Sequence, residues 1–170
     1  MTVRQKTRTF VVVVIGKFIL SMVSFGQEPY EMKPCAFTKL PKRSAGTEMI
    51  LSFPRGTKLR RVKDHDYLEF WVEHRSNGKF SFLQGMWGPN STSGRPSERL
   101  TKASRSTEWR AWTYESREGV DVKGVKEDGT RWRYLGTYGE FFAYEGVSDD
   151  AARFFDSLLD NVCHLAKTRK

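Results

Sequence analysis

The chain has 170 residues of which 38% are hydrophobic, enough for one domain with an ordinary core and too short for several such domains. Its formal charge is +9, from 29 Lys and Arg against 20 Asp and Glu. Removing residues 1–26 takes away four cations (Arg4, Lys6, Arg8, Lys17) and no acid, so the charge falls to +5, a value that favours anionic surfaces only mildly and does not mark a nucleic-acid binder.

Those first residues have the layout of an export signal. Arg4, Lys6 and Arg8 form a basic start, residues 10–25 are largely apolar, and Ser24-Phe25-Gly26 supplies small residues at the positions a signal peptidase reads. A signal peptide over 1–26, removed after Gly26, is expected. Lys17 interrupts the apolar run; a cation near the centre of a spanning helix costs about 2.5 to 3.5 kcal/mol. The run is also short for a span of about 20 residues, which argues against a permanent anchor and leaves no stable span after processing. Cys35 follows Met32-Lys33-Pro34, outside the apolar run, which argues against a lipoprotein.

Residues 27–47 are rich in Pro, Lys and Ser without periodicity and read as an extended N-terminal segment. Two cysteines in an exported chain, Cys35 and Cys163, are most simply one disulfide. Metal binding by two such distant cysteines is not expected.

Residues 48–166 read as a single α+β domain. A short strand over Met49–Phe53 is stopped by Pro54. Arg55, Lys58, Arg60, Arg61 and Lys63 form the densest basic run after the leader, either a solvated strand face or an anion-binding one. Tyr67–His74 and Lys79–Trp87 flank Asn77-Gly78, a strong hairpin signal. A two-residue loop sets Leu83 opposite Val72 and Trp87 opposite Leu68, with Leu68, Phe70 and Val72 on one face and Glu69, Trp71 and Glu73 on the other. Gly88–Ser97 is the longest loop candidate and carries an Asn90-Ser91-Thr92 glycosylation triplet; one or two helical turns follow over 97–103.

Glu108–Glu115 reads as a strand with Trp112 and Tyr114 on one face. Val120–Lys126 and Arg131–Tyr138 flank Asp128-Gly129, a second hairpin. A two-residue loop there places Val125 opposite Trp132 and Val122 opposite Leu135, with Val120, Val122 and Leu135 facing the core. Glu140–Tyr144 adds a strand. Ser148 suits a helix N-cap, Asp149 and Asp150 suit the positive end of the helix dipole, and Ala151, Phe154, Phe155, Leu158, Leu159, Val162 and Cys163 recur at helical spacing. Residues 167–170 form a basic C-terminal tail.

The expected architecture is a twisted antiparallel sheet of about six strands, including two hairpins, covered on one face by a C-terminal amphipathic helix. The order of strands followed by a closing helix resembles PsbP-like domains, a likeness of element order that implies a fold and no activity.

Motifs of catalysis are absent from the letters: no Gly-x-Ser-x-Gly, no phosphate-binding Gly-rich loop, no His-Glu-x-x-His and no CxxC. Glu69 and Glu73, four apart on one strand, stand about 13 Å apart, too far for a glycosidase pair. His65, between Asp64 and Asp66, and His74 are the residues a small secreted hydrolase or transferase would use with a carboxylate. No cofactor or metal is implied. The positive feature is a set of rings interleaved with guanidinium groups, from which Trp112, Tyr114, Arg131 and Trp132 are taken as the candidate ligand-binding face. In the competing reading most of these rings close the open side of the sheet, under the N-terminal segment. The functional expectation is an exported, periplasmic or extracellular, non-catalytic domain that binds an envelope ligand or protein partner through an aromatic and basic sheet face. The alternatives are the hydrolase or transferase and an intracellular basic nucleic-acid binder, the latter a poor match to an exported chain.

Overall fold

The computed structural model describes residues 29–37, 39–63, 68–76, 78–88, 96–115 and 117–165. The predicted signal peptide, His65, the Asn90-Ser91-Thr92 triplet and the basic tail lie outside the described residues.

Two hairpins and their neighbours build a mixed α+β fold that is mostly sheet. In chain order the strands are β1 (Tyr30–Glu31), β2 (Ser44–Ala45), β3 (Met49–Ser52), β4 (Lys58–Lys63), β5 (Leu68–Ser76) and β6 (Lys79–Trp87). Helix α1 (Glu98–Lys102) is followed by β7 (Ser104–Tyr114), β8 (Arg117–Lys126), β9 (Arg131–Thr137) and β10 (Glu140–Val147), then α2 (Asp149–Leu159) and β11 (Cys163–His164). The main sheet has eight strands in the order β1-β7-β8-β9-β10-β6-β5-β4, antiparallel except where β1 runs parallel to β7. A second sheet has the order β11-β3-β2.

The expectation of about six strands is thus corrected to eight. The extended N-terminal segment contributes β1 to the main sheet, the basic run becomes β4 at its edge, and the Met49 strand leaves it for the small sheet. Two-residue strands carry no alternation to read; they form because a neighbouring edge offers unpaired backbone groups. The helix is corrected in the same way. Rather than running through Cys163 and closing the chain, α2 ends at Leu159, and Cys163 and His164 extend to pair with Ile50 and Met49.

The Asn77-Gly78 hairpin has the register its two-residue loop requires: Ser76 faces Lys79, Val72 faces Leu83 and Leu68 faces Trp87. The Asp128-Gly129 hairpin does not. Lys126 N–H donates to the Thr130 carbonyl at 2.8 Å, and the Asp128 carboxylate accepts from the Thr130 amide at 2.9 Å and hydroxyl at 2.6 Å. The loop therefore spans three residues, with Gly129 alone in the left-handed region at φ 82°. This is the geometry of a type I turn ended by a glycine bulge. Every pair shifts by one: Val122 faces Tyr134, Gly124 faces Trp132 and Asp121 faces Leu135. Leu135 consequently leaves the face of Val120 and Val122, correcting the predicted core side.

The core lies on the face covered by α2, which packs on β3, β5, β9 and β10. Phe70, Val72, Leu83, Leu135 and Phe142 of the sheet meet Ala151, Phe155, Leu158 and Leu159 of the helix, with Met49 and Leu51 of β3 closing one side. On the opposite face a smaller cluster of Val122, Trp132 and Tyr134 is joined by Leu100 of α1. Ser148 caps α2, its hydroxyl accepting from the Ala151 amide.

Cys35 and Cys163 form the expected disulfide, with Cα atoms 5.0 Å apart across 128 positions of chain. It fastens the N-terminal segment to β11 beside the backbone bond from Cys35 N–H to the His164 carbonyl. Closing so long a loop removes unfolded-state entropy worth up to about 5 kcal/mol. The double variant Cys35→Ser, Cys163→Ser is expected to lose a large part of that stability in urea unfolding, with the slope against denaturant rising as the unfolded chain expands.

Candidate functional site

The four residues selected from the sequence do not assemble on one surface. Trp112 is 1% exposed, Tyr114 5% and Trp132 0%. Trp112 and Tyr114 belong to the helix-covered core, whereas Trp132 is buried on the other face with its indole N–H donating to Ser104 Oγ at 2.7 Å. Tyr114 donates its hydroxyl to the Leu165 carbonyl at 2.9 Å. Arg131 is exposed, with its Nε 2.7 Å from Asp149 Oδ1. The predicted binding face of Trp112, Tyr114, Arg131 and Trp132 is therefore corrected: its rings are structural. The cause lies in β8, where Gly119 stands opposite Trp112 and Gly124 opposite Trp132. A Cβ on Gly119 would lie 2.1 Å from Trp112 Cζ2, and one on Gly124 would lie 2.6 Å from Trp132 Nε1. Each glycine leaves a hollow that its tryptophan fills.

Exposed rings occur elsewhere, on the main-sheet face turned away from α2. Phe80 is 53% and Phe82 44% exposed, and Trp71 beside them is half-buried. Trp71 meets Phe82 edge-on at 6.2 Å between centroids, and the Arg75 guanidinium lies 5.2 Å above Phe80. Register brings Arg60 opposite Trp71 and Lys58 opposite Glu73, with which it pairs at 3.3 Å, so strands β4, β5 and β6 offer three cations (Lys58, Arg60 and Arg75) and three rings on one surface. A hollow of about 450 Å³ is lined there by Lys58, Leu59, Arg60, Trp71, Glu73 and Phe82. A second, of about 550 Å³, shares Trp71 and Phe82 and runs past Phe80 toward Leu100, Tyr134 and Phe141. The sequence signal for this surface was present: Trp71 alternates away from the core residues of β5, and the two-residue loop then sets Phe82 opposite Glu73 and Phe80 opposite Arg75.

A third hollow, of about 420 Å³, lies on the helix-covered face at the mouth between β1 and the end of α2. Its floor is an ion cluster. Arg133 binds Asp121 twice, through Nε and Nη2 at 2.8 Å each, and through Nη1 it reaches Asp156 at 3.1 Å and Asp160 at 2.8 Å. Tyr144 adds its hydroxyl to Asp156 Oδ1 at 2.8 Å. Burial works against the charge on Arg133, but the bonds to Asp121 and Asp160 override it and hold its pKa above the usual value. Tyr30 at the rim is pushed up to about 12, by burial first and by the Asp121 charge second. With Nε, Nη1 and Nη2 all engaged, Arg133 clamps helix to sheet and is not offered to a substrate anion.

Of the described histidines, His74 and His164, His74 is the one beside a carboxylate. Its Nε2 lies 3.8 Å from Asp150 Oδ2 and its ring stacks on Phe154 at 4.3 Å. The Ser76 hydroxyl also donates to Asp150. In a nucleophilic triad the histidine stands between serine and carboxylate; here the carboxylate stands between, so His74 is not placed to take the Ser76 proton. Among the described residues no group of three or more His, Cys, Asp or Glu side chains is set to hold a metal ion.

Two buried titratable groups have structural roles. Glu140, 4% exposed, accepts from the backbone amides of Thr47 at 2.7 Å, Glu48 at 3.1 Å and Met49 at 3.0 Å. Burial raises its pKa despite those three bonds. His164 stacks on Tyr114 at 3.4 Å, and burial lowers its pKa below the ordinary 6.5.

No family model, no curated protein and no solved structure matches the chain.

Glu140→Ala is expected to cost about 2 to 3 kcal/mol, because it removes a charged acceptor shared by three amides and leaves that of Met49 buried without a partner; urea unfolding measures it. For His164, a depressed folded pKa means that the unfolded state binds the extra proton first, so stability falls as pH drops below about 6.5. His164→Phe keeps a ring against Tyr114 and is expected to flatten that part of the stability profile, read by thermal melts across the acid range.

Proposed function

We propose that the protein is an exported, non-catalytic α+β domain that binds a ligand or protein partner through an aromatic and basic sheet face. The face is the one formed by Lys58, Arg60, Trp71, Phe80 and Phe82. The observation that carries the reading is the pair of exposed phenylalanines beside Trp71 and next to Lys58, Arg60 and Arg75, on the sheet face that α2 does not cover. Large rings left in water cost roughly 25 cal/mol for each Å² of apolar area, a cost that a partner removes on binding. Lys58 and Arg60 add selectivity for an anionic or polar partner, and aromatic faces accept planar groups and sugar rings alike.

Export is supported by the basic, apolar and small-residue order of residues 1–26 and by the Cys35–Cys163 disulfide, which persists in oxidising compartments. Among the described residues no helix is long and apolar enough to cross a membrane. The nucleic-acid alternative loses support from the same disulfide; for the hydrolase or transferase alternative, the one His and carboxylate contact among the described residues that its candidates make is His74 with Asp150, at 3.8 Å.

The test places a photoreactive amino acid at Phe82 in the protein expressed in its native host. The recovered protein is expected to begin at Gln27 and to yield a discrete adduct at position 82. The same group at Tyr138, a 76% exposed ring in the β9–β10 turn, is expected to yield none. Equal patterns at the two positions would remove the binding face, and a chain beginning at Met1 would remove export.

A further inference from the structure

The outer strand of the main sheet carries a feature that the ring-bearing face does not explain. β4 ends the strand order and pairs with β5 alone. On its other side the backbone amides and carbonyls of Lys58–Val62 have no partner among the described residues. Such an edge is a template for another strand, and folded proteins blunt it with charge, proline, bulges or a covering element. Here β4 runs in unbroken register along β5, without a bulge, over Lys58–Lys63.

Its charges are of one sign, and no acid interrupts the strand Lys-Leu-Arg-Arg-Val-Lys. Alternation sends them to both faces. Lys58 and Arg60 lie on the ring-bearing face opposite Glu73 and Trp71, while Arg61 lies on the helix-side face opposite Phe70 and donates to the Ser44 carbonyl at 2.9 Å. Arg60 and Arg61 are both exposed, and neither forms an ion pair among the described residues. A glycan or flat ligand lying on one face would meet Lys58 and Arg60 and leave Arg61 out. A second copy of the same edge would bring cation against cation, which opposes self-pairing. An extended acidic chain satisfies both observations: its backbone pairs with the open edge, and successive carboxylates fall alternately on the two faces.

We infer that the outer edge of β4 accepts an extended acidic segment of a partner protein as an added antiparallel strand. The main sheet then gains a ninth strand, its backbone bonds supplying affinity and Lys58, Arg60 and Arg61 selecting acidic partners. The inference needs the backbone edge and its cations, not the rings of Trp71 and Phe82, and so stands apart from the sheet-face reading.

The test uses a fluorescent peptide, Thr-Glu-Val-Glu-Glu-Val-Glu-Thr, whose antiparallel register sets glutamates opposite Lys58, Arg60 and Arg61 and valines opposite Leu59 and Val62. Its twin, N-methylated on alternate backbone amides, keeps every charge and loses strand-forming donors. Fluorescence anisotropy is expected to show binding of the parent and at least about tenfold weaker binding of the twin. Arg60→Glu, at an exposed position without an ion pair among the described residues, is expected to weaken the parent peptide by a similar factor, and Phe82→Ala to leave it unchanged. No binding of the parent, or equal binding of parent and twin, would overturn strand addition; the second result would mean adherence by charge alone. A loss on Phe82→Ala as large as that on Arg60→Glu would also overturn it, in favour of the ring-bearing face.

Discussion

Glu140 opens β10 with its carboxylate turned toward the chain that leads into β3, where it accepts from three successive amides, those of Thr47, Glu48 and Met49. Those amides precede or begin the strand, and that of Met49 would otherwise be buried without a partner. The turn before them is equally constrained: Gly46 has φ 112°, and a Cβ there would lie 1.8 Å from the Met49 carbonyl oxygen. Together the glycine turn and the carboxylate set the position of the small sheet against the large one. Once β3 is placed, Met49 and Leu51 close the core beneath α2, and Ile50 and Met49 offer the edge on which Cys163 and His164 pair. The disulfide then joins that edge back to Cys35. One buried carboxylate thus positions β3, β11 and a covalent link separated by most of the sequence.

A second polar centre holds α2. Asp156 and Asp160 lie four residues apart on one side of the helix, and both reach Arg133, whose remaining bonds go to Asp121 on the neighbouring strand. A buried ion cluster of this kind is weak evidence for net stability, because desolvation offsets most of the attraction. Its geometric demand is high, however, since each carboxylate must lie in the plane and reach of one guanidinium. The apolar stripe of α2 drives the helix onto the sheet, and Arg133 selects the rotation and height at which it rests.

The two faces of the main sheet are filled by different means. Toward the helix, aromatic and aliphatic side chains interlock, with Trp112 lying over Gly119. On the opposite face, Trp132 lies over Gly124 and Leu100 of α1 packs against the same cluster. That cover does not remove Phe80 and Phe82 from water. The contrast explains why ring content alone pointed to the wrong residues: a tryptophan opposite a glycine has a hollow to enter, whereas Phe82 stands opposite Glu73 and Phe80 opposite Arg75.

Features whose energetics close within a few residues were legible in the letters. The Asn77-Gly78 loop set the register of β5 and β6, and with it the faces on which Phe82 and Phe80 lie, because a two-residue turn admits one pairing. The Cys35–Cys163 bond followed from there being just two cysteines in a chain read as exported. At Asp128-Gly129 similar letters allowed a two- or a three-residue loop. The Asp128 carboxylate chose the longer by capturing Thr130, and that single residue turned Leu135 to the opposite face from Val122. Tertiary structure alone decided the rest. The strands β1, β2 and β11 are too short to have a period, the glycine hollows exist only once strands are paired, and the three anions of Arg133 come from β8 and from the C-terminal end of α2. Local chemistry chooses which turns and segments form; which side of each strand is buried depends on partners that only the folded chain brings within reach.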